Sequence, residues 1–170
     1  DIVGRIDKFG DFITAWQVSG PYMQENVLGP QLFDMEFAPE KADGNAKWEI
    51  MPASEDGGKP WLIQLEVIFG GDNRVAYVRN KVWSDKDQQV RLDLGSDDGI
   101  KVWLNGEVVH ANNTGRGVDP GADKVNVNLK QGWNAMMMKI TQGSGGWGAC
   151  AQFRSVDGSE IQGLKFQIEE

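Results

Sequence analysis

One cysteine and one histidine stand among 170 residues, and that scarcity removes whole classes of chemistry. A single Cys cannot close an internal disulfide. Cohesion must come from a packed core, and the redox compartment stays open, because a domain with an adequate core can be secreted without a bridge. Zinc sites need clustered Cys and His, and neither a His pair at helical spacing nor a Cys pair exists. A Ser-His-Asp triad would have to use His110, yet no Ser sits in a Gly-x-Ser-x-Gly elbow. Basic residues are also few: 17 Lys and Arg against 25 Asp and Glu leave a formal charge of −8. Scattered along the chain, they argue against a nucleic-acid partner, whose phosphates need clustered cations. No run approaches the ~20 apolar residues of a membrane span, and the opening Asp1-Ile2-Val3-Gly4 has no charged-then-apolar leader, so a soluble chain without a membrane span is expected.

Glycine is abundant, at 22 residues, about 13% against a typical ~7%. Turns should therefore be frequent. With 40% apolar residues, a chain of this length can bury one core, and a single domain over 1–170 is expected. Past residue 60 the pattern has period two. Trp61 to Phe69 reads as an apolar strand ended by Gly70-Gly71. Val75 to Trp83 alternates, with Ala76, Val78 and Val82 on one face and Tyr77, Arg79, Lys81 and Trp83 on the other. Val90, Leu92 and Leu94 point inward in the next strand, which stops at Ser96-Asp97-Asp98-Gly99. Asn105-Gly106, between two alternating runs, is a strong hairpin signal, because both central residues of a type I′ turn need positive φ. Residues 111–123 form the longest polar loop, and long loops in compact domains are often functional. Val125 to Leu129, Asn134 to Thr141 and Trp147 to Arg154 complete the series. The first 60 residues are less regular: Phe12 to Val18 reads as a strand, Gln31 to Phe37 as a short helix or strand, and Ala42 to Gly58 as turns. The pattern predicts an all-β antiparallel sandwich, or jelly roll.

Gly143-Ser144-Gly145-Gly146-Trp147-Gly148 matches G-x-G-x-x-G. That fingerprint works only between a strand and a helix, and here a strand follows, so the segment reads as a loop. Asn112-Asn113-Thr114 is a glycosylation sequon of little weight outside a eukaryotic secretory setting. Carboxylate pairs for glycoside hydrolysis stay open, because 25 acids always provide candidates.

Seven tryptophans need a reason. Sugars present flat C–H faces between rims of hydroxyls, so an exposed indole can stack while Asn, Asp, Arg and Gln bind the rim. Trp16, Trp48, Trp61 and Trp133 are expected to fill the core. Trp103 and Trp83, with charged neighbours on the same sheet face, and Trp147, beside four glycines, are the candidates for exposure. His110, Asn112, Asn113 and Arg116 are the candidate hydroxyl partners. Asp97 and Asp98 set two carboxylates side by side in a turn, with Asp119 and Asp123 in the long loop. Hard oxygen ligands converging from loops suit Ca²⁺, though no EF-hand spacing is present and Asp-Gly also serves as a plain turn.

The stretch Ser96 to Val109, with His110-Ala111-Asn112-Asn113 and the later Gly132-Trp133-Asn134-Ala135, resembles the β-sandwich accessory modules found beside catalytic domains in bacterial polysaccharide-degrading enzymes. Its order of DDG, strand, NG and strand is similar to PA14-type lectin-like domains. Trp16-Gln17-Val18-Ser19-Gly20-Pro21 is similar to the first strand of such modules. The resemblance, over residues 75–154, implies a secreted (extracellular or periplasmic) carbohydrate-binding module without catalysis, tethering an attached catalytic domain to a poly- or oligosaccharide. It implies Ca²⁺ held by Asp97 and Asp98. Two other readings remain: a small jelly-roll glycoside hydrolase or lyase using a carboxylate pair, and a structural spacer domain.

Overall fold

In the computed structural model, which describes residues 8, 9 and 11–168, most period-two segments become strands where their alternation lies. The opening Asp1-Ile2-Val3-Gly4, read above for a leader, lies outside the described residues. In chain order the strands are β1 (Lys8–Phe9), β2 (Phe12–Ile13), β3 (Gln17–Tyr22), β4 (Glu49–Ile50), β5 (Arg74–Ser84), β6 (Gln88–Asp97), β7 (Ile100–Leu104), β8 (Glu107–Asn112), β9 (Asp123–Leu129), β10 (Gly132–Gln142), β11 (Gly148–Arg154) and β12 (Leu164–Gln167). Among the described residues they make two antiparallel sheets. One runs β1-β2-β11-β6-β9. The other runs β4-β3-β5-β10-β7-β8, with β12 paired to β5.

The inward side chains of each alternation meet between the sheets. Val78, Val82, Val102, Met136, Met138 and Ile140 from the larger sheet pack with Val90, Leu92, Leu94, Val127, Leu129 and Phe153 from the smaller one. Each such side chain contributes about 1.5–3 kcal/mol of burial, which makes the alternation, rather than any local propensity, the source of the fold. Asn105 and Gly106 take φ of 51° and 82°, the left-handed pair a type I′ hairpin requires. That turn is tied down by Asn134, fully buried, whose Oδ1 accepts from Asn105 Nδ2 at 2.9 Å and whose Nδ2 donates to the Lys130 carbonyl at 2.9 Å.

Two segments depart from the sequence reading. Trp61 to Phe69 is not a strand: only Ile63 bridges to Ala149, and Leu65–Ile68 forms the short helix α2. A short apolar run satisfies either period, and here burying Ile63 and Leu65 decides it. Phe12 to Val18 splits, β2 joining one sheet and β3 the other, with buried Trp16 donating Nε1–H to the Ile13 carbonyl at 3.1 Å where the chain crosses. Residues 31–37 contain only the end of a one-turn helix, α1 (Gly29–Leu32). Among the described residues no helix is long and apolar enough to cross a membrane.

The chain between β3 and β4 does not extend the sandwich. It lies over the outer face of the larger sheet, where Leu32, Val75 and Tyr77 are buried beneath Tyr22, Met35, Phe37 and Trp48. Gly29 permits this approach, since a Cβ there would stand 2.2 Å from the Gln142 carbonyl oxygen.

Candidate functional site

The outward residues of the larger sheet follow from its register. Arg79 stands between Gln17 and Met137, Met137 beside Trp103, and Trp83 between Trp133 and Lys165. The segment carrying a single 3-10 turn, Ala38–Glu40, and Trp48 overhangs this face. Between them runs a groove of about 600 Å³, lined by Trp48, Trp103, Arg79, Met137, Lys41 and Asn45 among others. The Arg79 guanidinium lies over the Trp48 ring, 4.1 Å from its centroid, and Nε–H donates to Gln17 Oε1 at 3.0 Å. Both indoles are half-buried, with one side on protein and one on the groove.

A buried ion pair holds the overhang. Lys139, fully buried on β10, donates to Glu40 Oε2 at 2.8 Å and to the Met35 carbonyl at 2.6 Å, and the Tyr77 hydroxyl donates to the same Glu40 oxygen. Burial lowers the Lys139 pKa, and burial with the Glu40 hydrogen bond raises that of Tyr77. The rim of the groove is therefore rigidly placed.

The loop residues chosen as hydroxyl partners are committed elsewhere. His110 Nε2 lies 3.0 Å from Asp123 Oδ2, Asn112 Nδ2 donates to Asp123 Oδ1 at 3.1 Å, and Arg116 clamps both Asp123 oxygens at 3.0 and 2.7 Å. Asn113 Nδ2 donates to the Pro30 carbonyl at 3.0 Å. His110, Asn112 and Arg116 thus converge on one carboxylate and staple β8 and the long loop to β9. Each of the four therefore gives at least one polar atom to the fold, while Asn113 itself stays exposed. The Arg116 hydrogen bond, opposed by burial and helped by His110, holds the Asp123 carboxyl at about 2, against an ordinary 3.8. A depressed carboxyl stabilises the fold fully above its unfolded value and loses that contribution as pH falls through 2. Between pH 5 and pH 2 the parent protein should therefore lose about 1–2 kcal/mol more than Asp123→Asn, after allowance for solvent screening; urea titrations at the two pH values check this.

The Asp97–Asp98 turn, whose peptide bond is cis, ends β6. Asp98 Oδ1 accepts from the Arg116 N–H at 3.0 Å and Oδ2 from the Gly143 N–H at 2.8 Å. Burial, then the hydrogen bond to Asp98 and the charges of Asp98 and Glu66, pushes the Asp97 carboxyl up to about 7. Calcium asks for roughly six to eight oxygens. Here each Asp98 oxygen accepts from one main-chain amide, and the Asp97 carboxyl lies beside it. Among the described residues no group of three or more His, Cys, Asp or Glu side chains is placed to hold a metal ion. Beside the turn lies a pocket of about 330 Å³, lined by Asp97, Glu66, Gln64, Trp61 and Val118, with Trp147 at its base. Gly146 separates the two carboxyl groups: a Cβ there would stand 2.8 Å from Asp97 Oδ2 and 3.7 Å from Glu66 Oε2.

The tryptophans divide differently from expectation. Trp147 is 2% exposed, its Nε1–H donating to the Ile140 carbonyl at 3.3 Å and its ring against Phe69, so its reading as an exposed ring is corrected. Four glycines in sequence mark the turn before it and say nothing of where the indole goes. Trp133, expected in the core, is 48% exposed and lies opposite Trp83. Trp61 is half-buried and stacked on Phe12 at 4.3 Å. Trp48 lines the groove. Trp16 is buried as expected.

With this geometry in hand, comparison with known proteins gives the fold. No family model and no curated protein matches the chain. Among solved structures, the A domain of epithelial adhesin 9 from Candida glabrata, in complex with Galb1-3GlcNAc, is similar at TM-score 0.51 and 10% identity, covering 94% of this chain and 91% of that one. An anti-sigma factor domain-containing protein is similar at TM-score 0.50 and 11% identity, over 94% of this chain, which spans 46% of that protein's length. The PA14 domain of the MpAFP antifreeze protein also matches, at TM-score 0.44 and 14% identity, over 94% of this chain and 75% of its own. The shared architecture is the β-sandwich.

Proposed function

We propose that the protein is a non-catalytic carbohydrate-binding module that lays a sugar chain in the outer-face groove. The observation that carries this reading is a groove of about 600 Å³ walled by two half-buried indoles and edged with polar groups. Trp48 and Trp103 offer ring faces to the C–H surface of pyranoses, while Arg79, Lys41 and Asn45 reach the hydroxyl rim. A sandwich of the same fold, the adhesin A domain, is solved with a disaccharide bound, which supports the reading. In this role the module keeps an attached catalytic domain on its polysaccharide outside the cell. Affinity is modest, because a few polar contacts and two rings leave a small surplus after ordering costs.

Native electrophoresis through gels containing soluble polysaccharides tests this. Retardation by at least one glycan is expected, weakened about tenfold in Trp103→Ala. Retardation that persists undiminished in Trp103→Ala would remove the groove as the site. One observation favours a second reading: Asp97 and Glu66 flank Gly146 in a pocket lined by Trp61, the arrangement a small glycoside hydrolase would use. Reducing-sugar release, abolished in Asp97→Asn, would establish it in place of the module.

A further inference from the structure

The outward charges of four strands in the larger sheet are opposite in sign to the net charge of the chain. On β5, β7, β10 and β12 every charged residue whose side chain points outward is basic: Arg79, Lys81, Lys101, Lys139 and Lys165. The protein carries a net −8, so this is a segregation and not a general excess. Each of these cations also lies over an aromatic ring. Arg79 covers Trp48 at 4.1 Å, Lys165 covers Trp83 at 4.9 Å, Lys81 covers Trp133 at 5.7 Å, and Lys101 covers Trp103 at 5.7 Å. The charge of Lys139 is answered by a buried carboxylate, Glu40, which is also the one acid lining the groove.

A neutral sugar needs ring faces and hydrogen-bonding groups but gains little from a row of ammonium groups. A chain carrying carboxylate or sulfate at regular intervals gains from both at once. Beyond the groove at Arg79 and Trp103, the same face carries Trp83 and Trp133 four residues further along β5 and β10, or about 13 Å at strand spacing. Cations and indoles thus alternate over a length that accommodates several sugar units.

We propose that this face binds an acidic polysaccharide, its anionic groups meeting Lys81 and Lys165 and its ring faces meeting Trp103, Trp83 and Trp133. The proposal rests on the carbohydrate-binding reading and names its ligand class. A single-stranded nucleic acid would offer anions and flat rings as well. The fold, shared with an adhesin domain solved with a disaccharide, favours the polysaccharide.

The test uses the whole chain in gels containing polygalacturonate, a sulfated galactan, a neutral β-glucan or no polymer, with fluorescent oligo-dT measured in parallel. Retardation by an acidic polymer, weakened about tenfold on raising NaCl from about 50 to about 500 mM, is expected. Loss of it in the double variant Lys81→Gln/Lys165→Gln, which circular dichroism should show folded because both side chains lie at the surface, completes the expected result. The polygalacturonate and sulfated-galactan arms separate uronate from sulfate recognition. Retardation by the neutral glucan alone, dependent on Trp103, would overturn the acidic ligand and leave the module reading standing. Failure with every glycan overturns both. Tighter binding of oligo-dT than of any polysaccharide would overturn the proposal in favour of nucleic acid.

Discussion

Lys139→Ala is expected to cost about 3–5 kcal/mol of folding stability, the range found when one member of a buried ion pair is removed. The loss has three sources. Glu40 keeps its charge in a site that is 9% exposed, the Met35 carbonyl loses its donor at 2.6 Å, and a cavity replaces the lysine stem. Thermal unfolding should fall by roughly 10 °C for a chain of this size. Replacing both partners, Lys139→Met with Glu40→Met, should recover much of the loss, because no charge is then left stranded. Since Glu40 fastens the segment that overhangs the sheet, the single variant should also lose glycan retardation before it unfolds. A melting temperature within about 2 °C of the parent would show that the overhang is held by its apolar contacts alone.

Trp147→Ala should be as damaging, and for a reason unrelated to sugars. The indole is enclosed beside Phe69 and hydrogen-bonded to Ile140, so truncation removes buried area and leaves a void, about 3–5 kcal/mol together. Trp147→Phe should cost less. Measured well below the melting temperature, where the variant is still folded, glycan retardation should match that of the parent. Undiminished stability with lost binding would mean that the ring projects into solvent after all.

How far the sequence could be read depends on what each feature needs. Period-two alternation reports which side of a strand is buried, so β5, β6, β7, β9, β10 and the Asn105-Gly106 hairpin were placed correctly from residue order alone. Trp61 to Phe69 failed because a short apolar run is consistent with both periods and tertiary burial chose the helix. The site was harder. Charged sheet neighbours single out Trp103 and Trp83, and folding leaves both half-buried. Trp48 and Glu40 carried no such clue, since their importance comes from the overhang being folded back onto Arg79, Tyr77 and Lys139, across about 30 to 100 positions of chain. For His110, Asn112 and Arg116, position in a long polar loop pointed to ligands, whereas their common partner Asp123 makes them a structural clamp. The basic face was invisible for the same reason: its cations are dispersed in sequence and gathered only by the register of β5, β10 and β12.

The most direct measurement follows the seven indole N–H signals by ¹H–¹⁵N NMR, assigned by single Trp→Phe substitutions, while an acidic oligosaccharide is titrated in. Shifts concentrated in Trp48 and Trp103, with smaller ones in Trp83 and Trp133 and none in Trp16 or Trp147, are what a sugar lying along the outer face predicts. Saturable binding that moves Trp61 and leaves Trp48 and Trp103 unchanged would contradict it, placing the ligand in the pocket beside Asp97.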